Sequence, residues 1–501
     1  MSFEPTVIEL APAPPLQTAL EKLAHLPGCL LLQSAMQIPS TPAQTQALGR
    51  YSFLMADPIE SIVEPIGSTD VFSRLKELLE RFKTHPVDDL PPMQGGLAGL
   101  FSYELSRSIE NLGPPIENQF QLPAIAIGAY DVVIAWDHQL DKAWIISQGF
   151  PAVEPEQRRK QAEGRANYFR WLLELGGLPA QLDQDNPVAP SKLEPSELEP
   201  SVDVAGPAGL KSNFTPEDYI AAVQKSIDYV NAGDVFQVNL AQRLSFPADC
   251  SSLELYHRLT QCNPAPFSGY FDLSSLVDKS GFGNCPAQII SASPERLFSV
   301  RNGLVETRPI KGTRRRTGLP EIDRQAKEEL LASEKDRAEN TMIVDLMRND
   351  LSKVCQHDSV AVTEHCTLEE YESVFHLVSA VQGQLKPEHD LIDLLKSVFP
   401  GGSITGAPKI RAMEIIAELE PNARGAYCGG LGYLGFDGNA DINILIRTIT
   451  AAEGWWQFPV GGGIVTQSQP AAEHEETWTK AAGMLRAINK EDAKQVDDSG
   501  N

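Results

Sequence analysis

Between about residues 28 and 150, the apolar residues occur in short runs separated by glycine and proline, such as CLLLQS, GGLAGLFSYEL and LPAIAIGAYDVVIAW. Runs of this length that end in turn-forming residues are typical of β-strands. Strand-like runs return after Gly233 as VFQVNLAQRLSF, PFSGYFDL, RLFSV and LVETRPI, with helical patterns between them. Because strands and helices do not alternate regularly, the pattern predicts an α+β fold rather than a doubly wound parallel sheet.

Several helices have recognisable starts and ends. One begins at Thr215, where Pro216 and Asp218 complete a capping pattern, and ends at Gly233. Another begins at Ser333, with Asp336 three residues later. The remaining helices are predicted at residues 155–177, within 321–349, and near 390–398, 407–419 and 471–488.

Residues 178–212 are rich in proline and acidic side chains and have almost no apolar periodicity. They predict a linker between an N-terminal lobe, residues 1–177, and a C-terminal domain, residues 213–490. Residues 491–501 are predicted to be a disordered tail.

The chain has 42 Lys and Arg against 67 Asp and Glu, a net charge of −25. Such a charge repels nucleic acid and anionic membrane surfaces, so neither is an expected partner. The first basic residue is Lys22, after Glu4 and Glu9, which is unlike a secretory or transit peptide and predicts a cytoplasmic protein. The seven cysteines contain no CxxC pair, which favours reduced, mostly buried thiols.

Residues 430–435, GLGYLG, match the dinucleotide-binding pattern GxGxxG literally. That pattern binds pyrophosphate only where it opens a helix, whereas here a turn and the alternating run DINILIRTIT follow. A nucleotide site is therefore not predicted.

Two segments have the chemistry of an anion site. Residues 399–410, FPGGSITGAPKI, place small residues ahead of a predicted helix, so backbone N–H groups and the positive helix end are available to a carboxylate or phosphate. The basic run of residues 311–316, KGTRRR, concentrates cations within an acidic protein, which suits a small anionic ligand.

Two predicted helices carry carboxylates three residues apart, Asp336 with Glu339 and Glu473 with Glu476, which places each pair on one helical face. Such a face is most often solvated surface. The two pairs could instead converge on a hard cation such as Mg²⁺. The spacing leaves both interpretations open.

Together these segments resemble the chorismate-utilising enzymes, a family that includes the first components of anthranilate synthase and aminodeoxychorismate synthase. The resemblance spans nearly the whole chain and rests on GDVFQVNLAQR (233–243), NPAPFSGYF (263–271), SASPERLF (291–298), TRPIKGTRRR (307–316), SEKDRAENTMIVDLMRNDL (333–351), VFHLVS (374–379), GGSITGAPKIRAMEII (401–416), GGLGYLG (429–435), NILIRT (443–448) and GGGIVTQSQPAAEHEETWTKA (461–481). It implies a large two-sheet, mostly antiparallel β-sandwich flanked by helices.

The resemblance also implies residue roles. Glu339 and Glu476 match Mg²⁺ ligands, and Asp336 and Glu473 match residues close to those ligands. Mg²⁺ is therefore the expected cofactor. Glu295 matches the general acid that protonates the departing C4 hydroxyl of chorismate. The residues that match substrate-binding positions are His376, Ser403, Thr405, Gly406, Ala407, Tyr433, Arg447, Gly461, Gly462, Gly463 and Lys480.

Two positions bear on the reaction. Relatives that add water to chorismate carry a base lysine where this chain has Gln237, which favours ammonia as the nucleophile. Anthranilate synthases usually read PIAGT where this chain reads PIKGT, so Lys311 is expected to attack C2 of chorismate before ammonia enters at C4. The expected product is 4-amino-4-deoxychorismate, a folate precursor. The alternatives are an anthranilate synthase subunit and a non-catalytic chorismate- or tryptophan-binding regulatory subunit.

The resemblance implies two further partners. No cysteine lies in the Gly-rich setting of a glutaminase nucleophile, so a separate glutamine amidotransferase subunit is expected to supply ammonia in a heterodimer. Relatives also have a tryptophan pocket, matched here by Gln33, Ser34, Pro266 and Phe267. Gln33 and Ser268 stand where tryptophan-inhibited relatives usually have Glu and Met, so both regulatory and non-regulatory tryptophan remain open.

Overall fold

The computed structural model describes residues 3–36, 48–175, 193–198, 200–280, 286–371 and 374–489. The predicted tail and part of the predicted linker, residues 178–192 and 199, lie outside these ranges, as does Cys285. Six cysteines lie within them, all as free thiols, and five are buried.

The strands of the described residues are β1 (Thr6–Leu10), β2 (Leu30–Gln33), β3 (Tyr51–Met55), β4 (Glu60–Glu64), β5 (Gly96–Phe101), β6 (Ile125–Tyr130), β7 (Val132–Asp137), β8 (Lys142–Ser147), β9 (Val202–Asp203), β10 (Lys211–Ser212), β11 (Gln237–Pro247), β12 (Phe267–Asp272), β13 (Ala287–Ser293), β14 (Arg296–Arg301), β15 (Leu304–Arg308), β16 (Ile310–Arg315), β17 (Ala361–Glu370), β18 (Val374–Gln384), β19 (Gly406–Ala407), β20 (Gly430–Gly435), β21 (Ala440–Asn443), β22 (Thr448–Ala452) and β23 (Trp455–Ile464). The α-helices of the same residues are α1 (Leu16–Leu23), α2 (Val71–Arg81), α3 (Pro155–Leu175), α4 (Pro216–Ala232), α5 (Ser252–Cys262), α6 (Ser274–Ser280), α7 (Pro320–Ala332), α8 (Glu334–Val354), α9 (Leu391–Val398), α10 (Lys409–Leu419) and α11 (Pro470–Ile488).

These strands form two large sheets. The first has the order β1-β8-β7-β3-β2-β12-β13-β22-β23-β11-β10-β9, with β19 beside β11. The second has the order β16-β18-β15-β14-β21-β20-β5-β6-β4, with β17 beside β18. Within the described residues, every strand pairing in the sheets is antiparallel, which confirms the predicted α+β fold with two antiparallel sheets.

The sheets stack face to face with helices outside both. On β7, Val132 and Ile134 face α1, α3, α5 and α11, whereas Val133 faces the apolar layer that includes Ala98 and Leu100 of the second sheet. The far side of the second sheet packs against α2, α8 and α9. The strands are therefore buried on both faces, which explains runs such as AIAIGAYDVVIAW that are apolar without alternation.

Two predicted helix starts are confirmed, those at Thr215 and Ser333. Thr215 accepts a hydrogen bond from the Asp218 N–H group at the start of α4, and Gly233 ends that helix with a φ of 84°. Ser333 accepts from the Asp336 N–H group at the start of α8. The helix predicted at 407–419 begins later, at Lys409, because Gly406 and Ala407 form β19.

The segment DINILIRTIT, predicted as one strand, is two. It leaves the second sheet after Asn443, turns at Arg447, where φ is 53°, and joins the first sheet at Thr448. The residues between β21 and β22 thereby cross from one sheet to the other.

The two predicted lobes share both sheets. The first sheet takes β1, β2, β3, β7 and β8 from residues before 178, and it takes its other strands from residues after 200. Val202–Asp203 and Lys211–Ser212, within the predicted linker, pair beside β11. Chain segments far apart in sequence are thus neighbours in one hydrogen-bonded layer.

Candidate active site

The candidate site takes side chains from both sheets and from two helices. Residues of β16 and β18 come from the second sheet and residues of β23 from the first, while α8 and α11 each contribute carboxylates. The loop between α9 and α10 completes it with a short 3-10 turn at Gly402–Ile404.

Glu295, Ser403 and Lys311 form the centre. The Ser403 hydroxyl donates to Glu295 Oε1 at 2.7 Å, and the Lys311 ammonium group lies 3.4 Å from the Ser403 carbonyl oxygen. The Glu295 side chain is only 5% exposed, and burial raises its pKa to about 7, against the opposing effects of Ser403 and Lys311. Glu295 is therefore a carboxyl group that holds a proton near neutral pH.

Lys311 has the opposite shift. Burial lowers the pKa of the Lys311 amine, although Glu339 and Glu295 act in the other direction. A lysine with a lowered pKa is more often neutral, and only the neutral amine is a nucleophile.

His376 lies on β18 beside this centre. Its Nδ1 atom is 2.9 Å from the Thr313 hydroxyl, and the Tyr371 ring packs edge-on at 4.9 Å between ring centres. Burial and the nearby Arg447 lower its pKa to about 4, so the ring is neutral at physiological pH.

The loop that contains Ser403 is anchored to β11. The Asn239 N–H group donates to the Thr405 carbonyl at 2.8 Å, and the Thr405 hydroxyl donates to the Gly401 carbonyl at 2.9 Å. Gly406 has a φ of 137°, and a side-chain carbon there would lie 2.1 Å from the Gln237 carbonyl oxygen, so only glycine fits.

A buried arginine holds the same loop from behind. Arg424, which is 4% exposed, donates to the Ile404 carbonyl at 3.1 Å and to the Asn239 carbonyl at 2.7 Å. Its charge is balanced by Glu420 at 2.6 Å. One guanidinium group thus links the Ser403 loop to β11.

The glycines of β23 leave room for charged groups of α11. Gly461–Gly463 pair with Asn239–Ala241 of β11. A side-chain carbon at Gly462 would lie 3.3 Å from Glu473 Oε2 and 3.4 Å from Lys480 Nζ. Lys480 donates to the Gly461 carbonyl at 2.8 Å and pairs with Glu476 at 2.7 Å.

The predicted metal ligands come from helices that face each other across the site. Burial raises the pKa of Glu339, and Glu473 of α11 adds to that effect, so these carboxylates are close enough to repel. Burial also raises the pKa of Glu473. The pKa of Glu476 is lowered instead, because Lys480 and further cations outweigh the effect of burial. Asp336 is instead paired with Arg314 at 3.2 Å.

These donors fit Mg²⁺ in kind, since all are carboxylate oxygens. Over the described ranges, however, no three potential ligands form a preassembled coordination sphere. Mg²⁺ commonly keeps several waters and takes few protein ligands, which is compatible with this arrangement. The metal site stays a prediction.

One predicted substrate-binding residue lies elsewhere. Tyr433 is on β20 between the sheets, with its ring 5.7 Å from that of Phe53. It lines a separate cavity of about 450 Å³ that also contains Gln33, Ser34, Pro266 and Phe267, the residues matched to a tryptophan pocket. The structure therefore brings the pocket residues together and places Tyr433 with them, away from Lys311.

Two residues of the site, Tyr427 and Thr313, are not predicted from the sequence. Burial lowers the pKa of Arg447, and Tyr427 opposes that shift. The Arg447 guanidinium group donates to the Lys480 carbonyl at 2.5 Å. Tyr427 follows residues 422–426, NARGA, and the glycine in that stretch indicates a turn there. Thr313, the partner of His376, is two residues after Lys311, but a strand irregularity between Ile310 and Thr313 means that simple alternation would not have indicated it.

Comparisons with known proteins identify the family of the chain. Residues 39–486 match the family model of chorismate binding enzymes. The aminodeoxychorismate synthase component 1 of Escherichia coli is 36% identical over 484 residues, which cover 94% of this chain and 95% of that protein. The anthranilate synthase component 1 of Thermus thermophilus is 37% identical over 483 residues, with coverage of 95% and 96%.

A solved structure is similar throughout. The crystal structure of anthranilate synthase component I from Streptococcus pneumoniae superimposes with a TM-score of 0.71 at 30% identity and covers 90% of this chain and 94% of that one. The protein is a member of the chorismate binding enzymes. Within its described residues, no helix is long and apolar enough to cross a membrane.

Proposed function

We propose that this protein is the chorismate-aminating subunit of an aminodeoxychorismate synthase. It would convert chorismate and ammonia to 4-amino-4-deoxychorismate, and a separate glutamine amidotransferase subunit would supply the ammonia. The observation that carries the proposal is the position of Lys311, whose amine lies beside Glu295 and Ser403 with a lowered pKa.

Gln237 supports ammonia rather than water as the second reactant. Its side chain is fully buried against Gly463, and within the described residues neither its Oε1 nor its Nε2 atom has a hydrogen-bond partner. An amide is too weak a base to take a proton from water. Ammonia needs no such activation, because it is already a nucleophile.

The first step would form a bond between Lys311 Nζ and C2 of chorismate. The ring double bonds shift, the C4–O bond breaks, and Glu295 gives its proton to the departing hydroxyl, which leaves as water. Ammonia then forms a bond to C4 while the C2–Nζ bond breaks and Lys311 leaves as a neutral amine. The proton lost by the new amino group returns to Glu295, so the net change is chorismate and ammonia to aminodeoxychorismate and water.

The rest of the site would hold the substrate for this exchange. Arg447, Lys480 and the backbone of Gly461–Gly463 provide positive charge and N–H groups for the chorismate carboxylates. Mg²⁺, when bound by Glu339 and Glu476, would supply Lewis-acid binding of a carboxylate. Neutral His376 would pack beside the ring.

The ammonia source is expected outside this chain. Burial raises the pKa of Cys355 to about 11 and of Cys428 to about 12, and such thiols are not glutaminase nucleophiles.

An anthranilate synthase subunit is the second candidate, because a relative with that name is as similar as those named aminodeoxychorismate synthase. The two functions differ in product, since anthranilate formation also eliminates pyruvate. The purified protein should be incubated with chorismate, Mg²⁺ and ammonium, and the product identified by mass.

The proposal predicts aminodeoxychorismate from the parent protein and its loss in Lys311→Ala, with Lys22→Ala on the distant α1 as a matched control. Anthranilate would favour the second candidate. Full activity of Lys311→Ala would contradict the covalent route. Unchanged chorismate would favour a non-catalytic binding protein.

A further inference from the structure

The facing surfaces of α8 and α11 carry charges of both signs. The carboxylates are Glu339, Glu473 and Glu476, since Asp336 is occupied by Arg314. The cations that act on them are Lys311, Lys335 and Lys480. Lys335 and Lys480 thus offset part of the negative charge of this acid cluster before any metal binds.

Lys311 and Lys480 have evident tasks, but Lys335 has none in the reaction described above. Lys335 lies one helical turn before Glu339 on α8, with its ammonium group 3.8 Å from Glu339 Oε1. Its charge also acts on Glu473 and Glu476 of α11. One ammonium group thus attracts carboxylates of both helices, as a bound metal ion would.

Lys335 is also loosely held. Its side chain is 51% exposed and its separation from Glu339 exceeds a hydrogen-bond distance, whereas Lys480 is fixed between a carbonyl and a carboxylate at 2.8 and 2.7 Å. Its long side chain could reach water by rotation about single bonds.

We propose that Lys335 is an internal counter-cation of the metal site. Its ammonium group holds the carboxylates of α8 and α11 together in the metal-free enzyme and moves into solvent when Mg²⁺ binds. This inference rests on the Mg²⁺ site of the proposed function. It explains why a cluster with suitable donors has no preassembled three-ligand sphere among the described residues.

The consequence is a weaker metal site in the free enzyme. Mg²⁺ must displace a cation that is tethered to the protein.

The test compares Lys335→Met with Arg348→Met in the full-length protein. Both variants remove one positive charge from α8, but Arg348 is paired with Asp345 at 3.3 Å and is 53% exposed, outside the acid cluster. Mg²⁺ affinity is measured without substrate by isothermal titration calorimetry, and Mn²⁺ affinity by the loss of the free-ion electron paramagnetic resonance signal.

Lys335→Met should bind both ions at least about tenfold more tightly, because a cation a few ångströms from the metal is removed. Arg348→Met should bind as the parent does, and Lys335→Arg should stay weak. Unchanged or weaker binding in Lys335→Met would overturn the proposal, as would a complete lack of Mg²⁺ binding in all proteins. Product identity is measured separately, so a different product with tighter binding would refute the aminodeoxychorismate assignment alone.

Discussion

The hydrogen bond from Ser403 to Glu295 gives a quantitative prediction about the pH dependence of the reaction. Its 2.7 Å length and the burial of both side chains indicate a strong bond to the ionised carboxylate, which lowers the pKa of Glu295. A hydrogen bond to a charged group contributes about 1.5–3 kcal/mol, and about 1.4 kcal/mol corresponds to one pH unit. Ser403→Ala should therefore raise the pKa of Glu295, now about 7, by about one pH unit.

The sign of the effect on activity follows from the role of Glu295 as an acid. Glu295 must be protonated to release the C4 hydroxyl, so activity should fall as the pH rises through its pKa. In Ser403→Ala that fall should occur about one pH unit higher, even if the maximum rate is lower. A weaker substrate affinity would appear separately, in KM.

The assay is kcat at saturating chorismate and Mg²⁺ across neutral and mildly alkaline pH. The concentration of unprotonated ammonia is held constant, so that its own titration does not contribute. Ser226→Ala is the matched control, because it removes a buried hydroxyl that donates to the Ala222 carbonyl far from the site. An alkaline limb that stays in place, or moves to lower pH, would refute the assignment of Glu295 as the acid.

Four further predictions test the site and the fold. Because the pKa of Glu295 is raised from 4.5 to about 7, its stabilising contribution is present at low pH and is lost as the pH rises through that range. The inactive variant Glu295→Gln should therefore gain about 3 kcal/mol in free energy of unfolding, relative to the parent, between these two pH values. Urea denaturation measures this, and a difference that stays constant with pH would contradict it. Gly406→Ala should cost about 3 kcal/mol or more, by the same measurement, because its φ of 137° and the neighbouring carbonyl exclude a side chain; a loss under about 1 kcal/mol would refute this. Arg424→Met should lower the free energy of unfolding by about 3–5 kcal/mol, since it leaves the Glu420 carboxylate buried without its partner. Arg411→Met, whose partner Glu414 is at the surface, should lower it by less than about 1 kcal/mol. Equal losses in the two variants would contradict the buried network. Equilibrium dialysis should detect labelled tryptophan in the cavity of about 450 Å³, and no retention would remove tryptophan as its ligand.

Local features of the structure were predictable because they depend on residues close in sequence. Thr215 and Ser333 cap their helices as their hydroxyl positions predict, and residues 430–435 form a strand rather than a nucleotide-binding turn. The spacing of Glu473 and Glu476 places both on one face of α11. Helix caps and turns are settled within a few residues, so the sequence pattern carries them.

Other outcomes depended on packing between distant segments. The family resemblance matched Tyr433 to a substrate-binding position, but only the stacking of two sheets decides that this residue faces the cavity rather than Lys311. The reversal at Arg447, which carries the chain from one sheet to the other, is likewise absent from the alternating pattern of DINILIRTIT.

The amino-acid sequence alone therefore determined the residue types of the site, the helices that bear its carboxylates, and the resemblance to a chorismate-utilising family. Only the tertiary structure brought Glu339 of α8 close enough to Glu473 of α11 for the two to repel, set Lys311 beside Ser403, and surrounded Glu295 with enough protein to keep its proton. The physical reason is that a pKa, a charge balance or a shared cavity depends on distances across the interface between sheets and helices. Those distances are set by the packing of strands that the chain contributes from both of its ends.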